Sequence, residues 1–288
     1  MQSFQLSVAG FDFTIFSKSE IQLVIEEGYF SFLTNEKSFN TIQIEVFDFL
    51  PEVQENDFEK VYSAENNDQS FWTIYKLPNG YRIVTFSQTD GTSIQQIADF
   101  NFKDWKIYCQ PTKTAIESVL CPLQYPLGPL IWYYTGTQNK AIMIHASGIN
   151  FNNKGKIFSG FSGKGKSTMA NLWTQKGATL INDDRVLIRE IKNKFWMYNT
   201  PMFYEAKPIQ TTLDFIYFPY HAKENIIEKL TEPEVFKNLF AYIIQHGYNE
   251  DQINNHLNLI KKISEQIPAF SIGFVPTTKV VDFILDNE

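Results

Sequence analysis

The sequence predicts a mixed α/β chain in two parts, a β-rich N-terminal domain over residues 1–112 and an α/β domain over residues 113–288. Three observations carry this reading. Short alternating apolar segments fill the first third of the chain. A glycine-rich loop at 160–168 stands between an apolar strand pattern and an amphipathic helix pattern. Beyond that loop, strand and helix patterns succeed one another to the last residues.

In the first part, segments 4–8, 11–16, 22–25, 29–33 and 41–47 read as strands bounded by Gly, Ser, Asn or Asp. Segments 71–76 and 81–86 flank Leu77-Pro78-Asn79-Gly80, and Asn-Gly is a strong hairpin signal. Residues 51–69, acidic and rich in Asn and Glu, read as a long exposed loop. None of these residues forms a recognisable chemical motif.

Residues 114–135 are apolar but broken by Pro122, Pro126 and Pro129, which suggests two short helices joining the domains. Strands are expected at 141–150 and 156–159, with a turn at Gly155, and a helix at 166–176 capped by Gly177. Segment 178–181 reads as a buried strand ending at Asn182-Asp183-Asp184, followed by a hairpin of 185–191 with 195–199. Strands at 213–218 and 225–230 come next. Thr231-Glu232-Pro233-Glu234 then opens a helix with capping-box spacing and an early proline. A helix at 250–266, a strand at 270–275 and a helix at 277–285 complete the pattern.

A net charge of −7 and the lack of any basic run argue against nucleic-acid binding. Cys109 and Cys121 have neither metal-ligand nor disulfide-framework spacing and read as reduced thiols. No apolar stretch approaches the roughly 18 residues of a membrane span. The first ten residues lack the basic and apolar regions of a signal peptide, so a cytoplasmic protein is expected.

The chemistry concentrates in Gly160-Phe-Ser-Gly-Lys-Gly-Lys-Ser-Thr168, which matches the phosphate-loop pattern G-x-x-x-x-G-K-[ST] in full. Gly160, Gly163 and Gly165 let the backbone wrap closely and turn its N–H groups inward at a helix N-terminus. Ser162, Lys164 and Thr168 belong to the same cradle, Lys166 reaches the β- and γ-phosphates, and the Ser167 hydroxyl ligates Mg²⁺. Asp183 and Asp184 follow about 16 residues later. One can hold the metal and the other can take a proton from an acceptor hydroxyl. His145, on the strand before the loop, would ordinarily be a satisfied core residue. Strand alternation, however, puts Met143, His145 and Ser147 on the face opposite Ile142, Ile144 and Ala146. That face should look toward the loop, with the imidazole near the Asp pair and a gap between them for a hydroxyl.

His145, the 160–168 loop and Asp183-Asp184-Arg185-Val186 together resemble the catalytic core of HPr serine kinases and HPr-kinase-related proteins. Thr200-Pro201 matches a further element of the latter. The loop and Asp pair are also similar to those of ATP-dependent phosphoenolpyruvate carboxykinase. The resemblance spans roughly residues 140–205 and is faint beyond them. It implies a P-loop kinase domain of that type, with Lys166 on phosphate and Ser167 on Mg²⁺. It implies Asp183 near the metal, Asp184 as the base, His145 close to the acceptor, and Glu205 as a further acid near the metal. The Arg-Gly-Leu-Gly signature of HPr kinase/phosphorylases is absent, and the first 110 residues do not resemble their regulatory domain.

The expected activity is therefore Mg²⁺-dependent transfer of a phosphoryl group from ATP or another nucleoside phosphate donor, with ADP and pyrophosphate left open as donors. The acceptor is a hydroxyl, on a serine of a peptide or small protein or on a small molecule. Neither a monomer nor an oligomer is excluded. The alternatives are a catalytically silent nucleotide-binding regulatory module and a P-loop NTPase.

Overall fold

The computed structural model describes residues 2–36, 41–52, 58–66, 69–89, 92–101, 103–113, 117–201 and 206–288. Helices and strands are mixed, and the chain forms two compact units. One comprises Met1–Thr135 with Pro201–Lys207 and His246–Tyr248. The other comprises Gly136–Thr200, Pro208–Gln245 and Asn249–Glu288. Among the described residues, no helix is long and apolar enough to cross a membrane.

The first unit is built on β1 (Gln2–Val8), β2 (Phe11–Ser17), β3 (Gln22–Leu23), β4 (Ile42–Phe47), β5 (Glu59–Asn66) and β6 (Gln69–Leu77). It continues with β7 (Gly80–Thr89), β8 (Thr92–Phe100), β9 (Asp104–Cys109), β10 (Thr112–Lys113) and β11 (Ser118–Leu120). Eight of these form one sheet in the order β1-β2-β4-β9-β8-β7-β6-β5, and β10-β11-β3 form a smaller one. The Asn-Gly hairpin closes as expected, with Leu77 opposite Gly80 across a two-residue turn. Gly80 has φ 133°, and a Cβ there would stand 2.3 Å from the Phe100 carbonyl oxygen, so no other residue fits.

Three expectations for this unit fail for physical reasons. Segment 29–33 is not a strand but part of a 3₁₀ helix, Glu27–Phe32. Tyr29 and Phe32, three apart, are buried while Phe30 and Leu33 are exposed, which is 3₁₀ rather than period-two spacing. The stretch 51–69 contains β5, whose polar composition fits its position at the sheet edge; residues 53–57, 67 and 68 lie outside the described ones. Of the stretch 114–135, residues 114–116 lie outside the described ones, and the rest holds β11 and the start of one helix, α1 (Leu127–Gln138), rather than two short helices. Pro129 is tolerated because it falls in the first turn, where backbone N–H groups need no intrahelical partner.

The second unit contains β12 (Ala141–Phe151), β13 (Lys154–Ser159), α2 (Lys166–Gln175), β14 (Thr179–Ile191), β15 (Lys194–Tyr198) and β16 (Gln210–Thr212). It continues with β17 (Phe215–His221), β18 (Ile226–Lys229), α3 (Glu232–Tyr242), α4 (Glu250–Gln266), β19 (Ala269–Phe274) and α5 (Lys279–Leu285). Its sheet runs β16-β15-β14-β12-β13-β17-β19-β18. β13, β17 and β19 are parallel, whereas β12 pairs antiparallel with both β13 and β14.

Helices cover both faces of this sheet. On one, Ile142, Ile144, Val186 and Ile188 pack with Val235 and Leu239 of α3 and Ile260 and Ile263 of α4. On the other, Phe158, Tyr217 and Phe274 pack with Met169 and Trp173 of α2 and Val280 and Ile284 of α5. The capping box at α3 forms, with the Glu234 carboxylate accepting from the Thr231 backbone N–H at 2.8 Å and its hydroxyl at 2.7 Å.

A buried charge is stapled into the second face. Lys156 is 1% exposed, its ammonium 4.2 Å from the Phe215 ring centroid and 5.1 Å from that of Trp173. Its hydrogen-bonded ion pair is with Glu288, which also accepts from the Tyr217 hydroxyl at 2.5 Å. Burial lowers the Lys156 pKa, and Glu288 opposes that shift. Glu288→Gln should therefore cost roughly 3 kcal/mol in urea denaturation, because an uncompensated buried charge remains. Adding Lys156→Met should recover most of that loss, and a double variant as unstable as Glu288→Gln would show that the pair is not what matters.

Candidate functional site

The 160–165 loop is the chain's exit from β13 into α2. Gly160, Gly163 and Gly165 have φ of 156°, 78° and 93°, and Gly165 caps the helix. A Cβ at Gly165 would stand 2.6 Å from the Phe274 ring, so conformation and space both demand glycine. The Lys164 amide donates to Phe161 O at 3.3 Å, and the Met169 amide begins the α2 ladder at Gly165 O. Among the described residues, the amides of Gly165, Lys166, Ser167 and Thr168 have no hydrogen-bond partner. Such a set of donors at a helix start suits an anion.

Lys166 is buried, at 7% exposed, and its ammonium donates to Phe161 O at 3.1 Å. Among the described residues, no carboxylate lies within ion-pairing distance of it. Burial lowers its pKa, opposed by the fields of Asp183 and Asp184.

The Asp pair is not at a strand terminus. β14 runs unbroken from Thr179 to Ile191 and pairs with β12 along its length, with a bulge between Gly148 and Ile149. The expected separate strands over 178–181 and 185–191 are one. Val186 and Ile188 face the α3–α4 core, so strict alternation would aim Asp184 there too. Asp184 instead has φ 99°, which swings its carboxylate to the face of His145. Backbone in this region costs of order 1–3 kcal/mol in a non-glycine residue and concentrates at functional sites. The side chain of Asn182 secures the kink: its Nδ2 donates to Arg185 O at 2.5 Å, and its Oδ1 accepts from the Asp183 amide at 3.0 Å.

The two carboxylates have separate partners. Asp183 Oδ1 accepts from the Ser167 hydroxyl at 3.0 Å and also from Ser147. Asp184 Oδ1 lies 3.1 Å from His145 Nδ1, and its Oδ2 lies 3.3 Å from Arg185 Nε. His145 is on the predicted face, one residue beyond the rung that pairs Ala146 with Ser159. The expected gap for a hydroxyl between imidazole and carboxylate is absent, because they are in direct contact. The Asp184 charge beside Nδ1 favours a proton on that nitrogen, which in the neutral ring leaves Nε2 as an acceptor. Burial, and next the charge of Lys166, lower the His145 pKa from the ordinary 6.5; Asp184 opposes them.

His145, Lys166, Ser167, Asp183 and Asp184 line one cleft of about 370 Å³, with Ser162, Gly163, Gly165 and Thr168. Gly160 begins the loop, and the Lys164 side chain packs against it. Glu205 lies outside the described residues. A larger cleft, about 620 Å³, sits between β14 and α4 beside the Lys262–Glu190 ion pair, but none of these groups reaches it. Among the described residues, no group of three His, Cys, Asp or Glu side chains is placed to hold a metal. Ser167 Oγ and Asp183 Oδ1 are a donor pair suited to Mg²⁺, which is commonly held by one or two protein oxygens together with substrate phosphates.

No protein-family model and no curated protein matches the sequence. A solved structure resembles half of the chain. It is the Hpr(Ser) kinase/phosphatase from Coxiella burnetii, at 10% identity and a TM-score of 0.31, covering 50% of this chain and 94% of that one. The likeness is weak.

Sequence reasoning overlooked three residues that the structure brings to the site: Ser147, Arg185 and His221. Alternation already placed Ser147 beside His145, and Arg185 follows the Asp pair directly. The strand expected at 213–218 stopped short of His221, whereas β17 runs through Pro219 to it. The rungs between β13 and β17 stop at Tyr217, so Pro219 lies where one edge of β17 has no partner strand.

Proposed function

We propose that the chain is an ATP- and Mg²⁺-dependent kinase with a P-loop domain of the HPr-kinase type at 113–288. It acts in the cytoplasm on a hydroxyl of a peptide, small protein or small molecule. The observation that carries this is the meeting in one cleft of helix-start amides without a hydrogen-bond partner among the described residues, a buried lysine without a carboxylate in contact among them, and two carboxylates with different partners. A pure binding site needs the first two and has no use for the third.

Lys166 and the α2 amides bind the phosphates. Ser167 and Asp183 hold the metal, and magnesium when bound supplies neutralisation of phosphate charge. Asp184, itself 3.3 Å from Arg185 Nε, orients the His145 ring so that Nε2 accepts the hydroxyl proton. Asp184 stabilises the imidazolium that results.

The test is transfer from γ-labelled Mg·ATP to a library of serine- and threonine-containing peptides and small alcohols, with ADP measured alongside. Tight ATP binding without acceptor-dependent ADP would favour the silent module. Because the His145 pKa lies below 6.5, the neutral base persists through neutral pH. The rate should therefore be flat around neutrality and fall only at pH below 6.5, and His145→Gln should remove that limb along with most of the activity. A wild-type limb above 6.5 would assign the titration to another group.

A further inference from the structure

The cleft has a second wall that the phosphoryl-transfer groups do not use. His221 ends β17, on the side of β13 away from β12 and β14. Its Nε2–H donates to the Gly163 carbonyl at 3.0 Å, and one ring face lies against Phe274, with centroids 5.7 Å apart and planes at 30°. Phe274 is fully buried, so the imidazole is held by an edge and a face while remaining exposed on the cleft. What it offers outward is a flat ring face and Nδ1. Its N–H is committed to a carbonyl, which makes the ring a poor partner for phosphate and a good one for a heterocycle.

Topology decides what lies there. Terminal phosphate must sit by Lys166 and Ser167, with the reacting end turned toward Asp184 and His145 on β14 and β12. A donor in that orientation directs its other end across the loop toward β17. We propose that His221 is the platform on which the nucleoside base of the phosphoryl donor stacks, so that the site selects a nucleoside triphosphate over an inorganic polyphosphate. The inference rests on the nucleotide reading above. A ring already fixed at an edge and a face loses little freedom on stacking.

Titration calorimetry of the full chain with Mg·ATP and with Mg·tripolyphosphate tests it, for the wild type, His221→Ala and His221→Phe. The wild type should bind ATP more tightly than tripolyphosphate. His221→Ala should weaken ATP by about tenfold while leaving tripolyphosphate within about twofold, as expected for loss of a base stack. His221→Phe, which keeps a ring face but not the bond to Gly163, should retain most of the ATP affinity. Equal weakening of both ligands without rescue by Phe would make His221 only a pin for the loop and overturn the inference. Unchanged ATP affinity in His221→Ala would overturn it too. If the wild type bound neither ligand, the nucleotide reading itself would fall, and this inference with it.

Discussion

Lys166→Ala should lower phosphoryl transfer by roughly 10²–10³-fold, as removal of a fixed donor aimed at developing charge does elsewhere. The side chain is buried in the cleft, and among the described residues its ammonium donates to the Phe161 carbonyl alone. Among the described residues it is thus a charge with no carboxylate in contact, preorganised for an anion. Removing it should not destabilise the fold, since a desolvated cation without a counter-ion is relieved, and circular dichroism melting can verify this. Lys166→Arg should be no rescue, because a planar fork does not fit where a compact ammonium sits under a loop.

A second readout of Lys166→Ala is independent of turnover. The Lys166 charge is one of the causes that lower the His145 pKa. Its loss should move that pKa upward toward 6.5, observable in an NMR titration of the imidazole. Wild-type turnover in the variant would remove the lysine from the chemistry. An unmoved His145 titration would remove it from the electrostatics of the site.

The parts of this fold that were legible are those where a local rule acts alone. Asn79-Gly80 sets a hairpin, Thr231 and Glu234 close a capping box, and the run from 250 to 266 has one apolar stripe. The glycines at 160, 163 and 165 are demanded by backbone angles that other residues rarely adopt. What was illegible depends on partners far along the chain. β5 is polar because it is an edge strand, and no local pattern distinguishes such a strand from a loop. Tyr29 and Phe32 belong to a 3₁₀ turn whose buried side is set by tertiary contacts, among them the Tyr29 hydroxyl on Leu123 O at 2.9 Å.

Asn182-Asp183-Asp184 illustrates the same limit at the site. Three polar residues after an apolar run spell a turn by propensity, yet β12 supplies enough pairing to carry the strand straight through. The conflict between local preference and sheet is resolved at Asp184 by a positive φ. That is why the two adjacent carboxylates share a face, a fact no periodicity could reveal.

Asp184→Asn should reduce transfer by roughly 10²–10⁴-fold while leaving Mg·ATP affinity within a few-fold. The amide keeps the side-chain shape, and asparagine tolerates positive φ, so the kink and the backbone of β14 should persist. What is lost is the negative charge that favours a proton on His145 Nδ1 and stabilises the ring once it is protonated. The loss should fall on the chemical step, because no phosphate-binding group touches this carboxylate. The backbone argument yields its own test through two further substitutions. Asp184→Gly removes the steric penalty of φ 99°, and Asp184→Ala retains it while removing the same charge. The ion pairs of Asp184 are half-exposed and contribute little to stability. In urea denaturation the glycine variant should therefore exceed the alanine variant by about 1 kcal/mol or more, although both are inactive. Equal stability of the two would mean that Asp184 is not strained, and a normal rate in Asp184→Asn would remove its charge from the mechanism.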